Sequence, residues 1–469
     1  MKQGVIASYV SGIFNKTKGE SFATIIYYCF PEFITNLVVY SMPVLLDAWF
    51  VSTLQSTATY MALGASNTFL HLIIKMAEAF SVGTVIVVGM HNGAHEYEKA
   101  GKSLRNAFWT TITVGIFIAA SLVVFAREIY VWHGLTDDVI AISIPFMQLR
   151  AVSVVLMFVS FAFMGFLRGI KNTRTPMHIF VVGMVAFVCT DYVLIFGKLG
   201  FEPMGLRGSA IASIVQYSVM VVLALAYLFL HPDNRRYKLM LFSPVESFDE
   251  IAQFIRISVP VILDKAIMAM AYIWLCRTMA SIGKYGVAAF CVVKDMERFA
   301  LIPAIACAQV ITFLVSNNVG AREWDAVKIN IKKVILIASV SVGCLLMMFM
   351  TSPRSFIELF DKKGDFVTMA SSAFPFLSVL AFFDLLQLVL SGALRGAGDV
   401  RIVMLTRLII CFGFFVPVSW FLVRMNIENE LLKFMLVYGS FYLGNAFMSV
   451  VYLYQFRTNR WKYALGQKE

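Results

Sequence analysis

Twelve long apolar runs separated by short polar connectors dominate the pattern of hydrophobic and polar positions along this chain. A helix that crosses a bilayer needs about 20 mostly apolar residues. Runs near 22–51, 61–90, 106–126, 139–167, 177–196, 208–230, 252–280, 286–317, 334–351, 369–394, 402–423 and 432–456 come close to or exceed that length. Buried helices of a soluble protein would not repeat runs this long with connectors this short, so the pattern predicts an all-α polytopic membrane protein with twelve transmembrane helices. The longest polar connector, from His231 to Glu250, divides the helices six and six. The expected organisation is a cytoplasmic segment 1–20, a six-helix lobe 21–230, a cytoplasmic linker 231–251, a second six-helix lobe 252–456 and a cytoplasmic tail 457–469.

Composition agrees with a bilayer as solvent, since 59% of the 469 residues are hydrophobic and only 14% charged. The excess of 39 Lys and Arg over 28 Asp and Glu changes the picture only through its distribution. Connectors on the side of the N-terminus carry 22 Lys and Arg, among them Lys99, Lys102, Arg168, Arg235 and Arg395, whereas the opposite side carries eight. That bias predicts that both termini are cytoplasmic in an inner or plasma membrane, with the positive charge facing anionic lipid. No basic cluster stands apart from a helix end, which argues against a nucleic-acid partner. The seven cysteines all lie in apolar stretches without a C-x-x-C pair, so neither disulfides nor metal binding is indicated. The first twenty residues show no apolar core followed by a cleavage site, and the first spanning helix is expected to target the protein.

The two halves repeat one another. Gly93-Ala94 recurs as Gly320-Ala321 and Leu167-Arg168-Gly169 as Leu394-Arg395-Gly396, both at an offset of 227 residues, and Pro31 recurs as Pro260 at 229. A competing likeness between the PVLLD run at 43–47 and PVILD at 260–264 requires an offset of 217 and is set aside, because the 227 register is anchored at two distant places. Six helices per half makes the repeats parallel.

These anchors carry a family resemblance. The DAWFV run at 47–51, Gly93-Ala94, Leu167-Arg168-Gly169, DYVLIFG at 191–197, IPA at 302–304, NVGAR at 318–322 and LRGAGD at 394–399 occur in the order and spacing of the multidrug and toxic compound extrusion (MATE) family, within the multidrug/oligosaccharidyl-lipid/polysaccharide exporter superfamily. The chain resembles that family over nearly its whole length. The resemblance implies a V-shaped pair of six-helix lobes around a central cavity. It implies a secondary antiporter that exports organic, cationic amphipathic solutes by alternating access in exchange for H+ or Na+. No cofactor is implied, and function as a monomer is expected. The Arg-Gly corners read as cytoplasmic turns in which Gly allows the reversal and Arg meets headgroups.

An ionisable residue deep in a bilayer is costly and therefore a functional candidate unless a neighbour neutralises it. Asp47 lies in the first run and Asp191 in the fifth. Two carboxylates in one membrane site can take up and release a proton, or coordinate Na+. The resemblance places Asp47 and Asp191 in a cation-coupling site, with Ser213 where Thr is common. The sodium-type pattern also has Asn four residues before the second Asp, and here that residue is Phe187, which removes an oxygen ligand and favours H+. Asp384, with Gln387 one turn on, is a candidate for holding a cationic solute, and Asp264 is a further one unless Lys265 or a lipid headgroup occupies it. Lys75 and Glu78, Lys294 and Glu297, and Asp295 and Arg298 are i,i+3 neighbours, which self-neutralise and lock packing or else line the cavity.

The six histidines have no metal-binding spacing, and no phosphate-binding loop or nucleophile elbow is present, so an intramembrane enzyme is the least favoured class. The closer rival is a flippase for a lipid-linked sugar or other amphipathic lipid, which would favour an arginine-rich cavity. A channel is the third.

Overall fold

The computed structural model describes residues 19–40, 57–244, 248–360 and 364–463. Twelve helices among these residues are long and apolar enough to cross a membrane. In the first half they are α1 (Phe22–Tyr40), α2 (Thr57–Gly93), α3 (Tyr97–Val124), α4 (Asp137–Gly169), α5 (Arg174–Phe196) and α6 (Leu206–Leu230). The second half supplies α7 (Phe248–Ala280), α8 (Gly286–Gly320), α9 (Trp324–Thr351), α10 (Gly364–Gly396), α11 (Val400–Arg424) and α12 (Glu430–Thr458). Helices prevail because no water is available in the lipid interior to satisfy backbone N–H and C=O groups. Large apolar side chains such as Phe117, Trp132, Ile273 and Val379 remain exposed, as expected of surfaces that meet lipid.

The residues form two compact units, one of residues 34–262 and the other of 1–33 with 263–469. The division falls inside α1 after Phe33 and inside α7 after Ile262, so each of these helices has residues in both units.

Within the units the 227-residue register holds bond by bond. After α2, Ala94 N–H donates to Met90 O at 3.0 Å, His95 to Asn92 O at 3.2 Å and Glu96 to His91 O at 2.8 Å. After α8, Ala321, Arg322 and Glu323 make the equivalent bonds to Asn317, Val319 and Asn318 at 2.9, 3.0 and 2.8 Å. The corners after α4 and α10 match in the same way, Asn172 donating to Leu167 O and Asp399 to Leu394 O. The left-handed residue that closes each corner is His95, Arg322, Lys171 and Gly398 respectively. At the two Arg-Gly corners the reversal therefore falls to Lys171 and Gly398 and not to Gly169 and Gly396, contrary to the reading from the sequence. At the first corner Lys99, then His91, hydrogen-bond the Glu96 carboxylate and hold it below the usual carboxylate range.

The glycines inside the fourth helix of each half serve packing instead. A Cβ on Gly165 would lie 2.6 Å from Ser81 O, and one on Gly392 would lie 2.5 Å from Ala308 O. Gly169 and Gly396 similarly face Val88 and Thr312 O. Small residues at these points let the α2–α4 and α8–α10 backbones approach closely, which is how helices gain contact energy in lipid. The short helices Ala126–Trp132 and Pro353–Phe360 also begin 227 residues apart. One departure lies in α11, where Cys411–Phe415 widens into a π-helical turn ahead of Pro417. The wider turn makes room for a proline ring that would clash with the carbonyl four residues back.

Candidate functional site

In the unit of residues 34–262, α5 turns Gly183, Met184, Phe187 and Asp191 inward along one face. The helix ends at Gly197, whose φ of 65° and contact with Pro203 leave no room for a side chain. Asp191 is only 2% exposed, so it is a buried acid and not a solvated helix-end residue. Phe187 occupies the same buried face one turn earlier. The neighbouring α6 approaches through Gly208, whose missing Cβ would lie 3.0 Å from Leu194. Ser213 on α6 is completely buried and donates to Ser209 O at 3.1 Å. Its oxygen also accepts from the Arg150 guanidinium of α4, which lies 5.6 Å from the Phe146 ring. Asp47 lies outside the described residues. Glu78 on α2 accepts from the Lys75 ammonium at 3.1 Å, the i,i+3 pairing that its spacing predicts.

In the other unit, α12 presents a buried polar stripe, Tyr438, Tyr442, Asn445, Ser449 and Tyr452, at helical spacing. Its members reach α8, α10 and α11 in turn. Tyr438 donates to Glu297 Oε2 on α8 at 2.6 Å, and Tyr442 donates to the same oxygen. Asn445 donates to Asp384 Oδ1 on α10 at 3.2 Å, and Tyr452 donates to Val403 O on α11 at 3.3 Å. Asp384 and Gln387 are both buried. The spacing of Lys294 and Glu297 does not produce their pairing: Lys294 lies 3.9 Å from Asp295, while Glu297 turns to the tyrosines.

Asp264 on α7 is 1% exposed and clamped by two arginines, Arg395 Nη2 at 2.6 Å and Arg407 Nε at 3.1 Å. Lys265 and lipid headgroups, the sequence-based alternatives for its partner, are not what neutralises it. The corner arginine of α10 accordingly faces a buried acid and not only the headgroup region. Sequence reasoning passed over Arg150, Arg407, Asn445, Tyr438 and Tyr442, and also Glu32, which follows Pro31 in α1 and is completely buried. The available signal was their position inside apolar runs. Among the described residues no cluster of three His, Cys, Asp or Glu could hold a metal ion.

A family model described as MatE matches residues 31–193 and matches again at residues 260–421. The chain belongs to this family. Two matches to one model, beginning 229 residues apart, agree with the internal repeat and with the pairing of Pro31 and Pro260. A probable multidrug resistance protein, YoeA of Bacillus subtilis strain 168, is 22% identical over 75% of this chain and 76% of its own length. The NorM probable multidrug resistance protein of Thermotoga maritima is 24% identical over 77% of each. In structure the chain is similar to a multidrug resistance MATE family transporter of the MOP superfamily solved in its outward-facing conformation. The TM-score is 0.85 at 19% identity, over 94% of this chain and 96% of that one. The protein is thus a multi-pass membrane transporter of the MATE family and not an enzyme.

Proposed function

We propose that this MATE protein is a proton-coupled antiporter that exports organic cations by alternating access, with Asp47, Asp191 and Ser213 as its cation-coupling residues and both termini in the cytoplasm. The observation that carries the choice of ion is the surroundings of Asp191. A bare Na+ must replace its water with several oxygens, but Phe187 stands where the sodium-type pattern has Asn, and the Ser213 oxygen already faces the Arg150 guanidinium. A proton needs only a carboxylate oxygen. Asp384 and Gln387 are the preferred substrate residues. Asp384 is buried with a neutral amide on one oxygen, whereas Asp264 and Glu78 are held by cations and Glu297 is enclosed by two phenols. An outward-facing relative of the same fold supports alternating access.

The deciding experiment loads proteoliposomes with a lipophilic cation such as ethidium and imposes either a pH gradient or a Na+ gradient at constant pH. Transport is expected with the pH gradient alone and is expected to be lost in Asp191→Asn. Equal transport driven by Na+ would overturn the choice of ion. The half-buried Arg150 and the buried Arg407 favour one second reading, a flippase for an amphipathic lipid with an anionic head. Movement of a fluorescent lipid without any ion gradient would select it.

A further inference from the structure

We propose that Glu297, held by Tyr438 and Tyr442, is a second proton-carrying site, so that this antiporter moves two protons for each substrate cation. The inference rests on the proton-coupled reading above and extends it to the unit that contains residues 263–469.

Glu297 is 3% exposed, and both phenol hydroxyls converge on its Oε2, while Oε1 is buried without a hydrogen-bond partner among the described residues. An ionised carboxylate has about four acceptor positions. Leaving half of them bare away from water is costly, and a cation at Oε1 removes that cost.

Size and ligand number decide which cation. The Tyr438 and Tyr442 rings stack at 5.4 Å and 19°, with Phe290 and Phe434 packed at 5.5 and 6.1 Å from Tyr438. These rings close the Oε2 side, and Oε1 is itself buried, so a bulky organic cation does not reach it. A metal ion would need several oxygens, and no suitable cluster surrounds it among the described residues. A proton needs neither space nor further ligands.

Nearby charges do not supply the missing cation. On α7, Asp264 is flanked by Arg395 from α10 and Arg407 from α11, the positive charge left over falls to Asp384, which lies in electrostatic reach of Arg407, and Tyr272 offers a phenol and not a cation. Asp384 of α10 adds negative charge within electrostatic reach. The buried Lys333 of α9 donates to Glu20 O. On α8 itself Lys294 lies beside Asp295, and Arg298 is turned to an exposed face. Packing does not demand an acid here either: the positions 227 residues earlier hold Leu70, Ile211 and Val215, all apolar. The step is a simple proton transfer. A hydronium ion on one side breaks an O–H bond to give its proton to the carboxylate at Oε1, leaving water and a carboxylic acid, and in the opposite-facing state the acid's O–H bond breaks and the proton returns to water as hydronium.

Two measurements test this. In proteoliposomes with the membrane potential clamped at zero, the ethidium ratio at equilibrium is read against the imposed proton ratio. Linkage sets the exponent by the number of exchanged protons, about two for wild type and Glu297→Asp and about one for Glu297→Gln. An exponent unchanged in Glu297→Gln overturns the proposal. The second measurement is the infrared difference spectrum of the purified protein between two pH values. A carboxylic acid C=O band is expected to vanish in Glu297→Gln, persist in Asp191→Asn and shift in the Tyr438→Phe/Tyr442→Phe variant. Absence of any band belonging to Glu297 overturns the proposal even if transport proves to be driven by Na+. Failure of the pH gradient to drive transport with the band intact overturns only the antiport reading. Should Glu297→Gln not fold, the double tyrosine variant carries both readouts, with loss of the shift as the overturning result.

Discussion

Replacing Asp264 with Asn isolates the energetics of the buried charges. The substitution keeps the shape of the side chain but leaves two guanidinium groups, Arg395 at 15% and Arg407 at 5% side-chain exposure, facing a neutral amide. Removing one partner of a buried ion pair costs about 3–5 kcal/mol, because the remaining charge has lost its water and its counterion. Most of that cost falls on Arg407, since Arg395 retains some access to solvent. At roughly 2.1 cal/mol/K of unfolding entropy per residue over residues 1–33 and 263–469, the melting midpoint should fall by about 6–10 °C. The assay is thermal denaturation in detergent, followed by the fraction that elutes as a monodisperse species. The second variant, Asp264→Asn with Arg407→Gln, should recover at least half of the loss, since neighbours in one network are not additive. A midpoint within about 1 kcal/mol equivalent of wild type for Asp264→Asn would refute the clamp.

Two further predictions concern the frame. Gly392→Ala and Gly165→Ala should each destabilise by about 1–3 kcal/mol, because the new methyl meets a backbone carbonyl at 2.5–2.6 Å, whereas Gly343→Ala, with open space around it, should be neutral or mildly stabilising in the same melting assay. The Cys29 and Cys307 sulfurs lie 3.7 Å apart, so a membrane-permeable oxidant should join α1 to α8. With a protease site placed after Lys238, the two fragments should migrate together without reductant and separate in Cys29→Ser, and separation in wild type would show that the two helices do not meet there.

What the sequence by itself determined was whatever depends on local pattern. In lipid each helix satisfies its own backbone, so the length of an apolar run decides that a helix forms and roughly where it ends. The twelve helices, the 227-residue repeat and the family were all legible on that basis, as were the costly intramembrane acids other than Glu32. Partners of those acids were not legible. Asp264 finds Arg395 131 residues away, and Glu297 finds Tyr438 and Tyr442 141 and 145 residues away. Spacing along one helix suggested Lys294 for Glu297, but successive residues of a helix point about 100° apart, so a small rotation of α8 decides whether its acid meets its own helix or α12. The Arg150–Ser213 contact has the same origin, as does the role of the corner glycines, which the sequence pattern assigned to the turn and the helix packing assigns to close backbone approach. Hydropathy records how each helix meets lipid, and only the tertiary structure records how it is rotated against its neighbours.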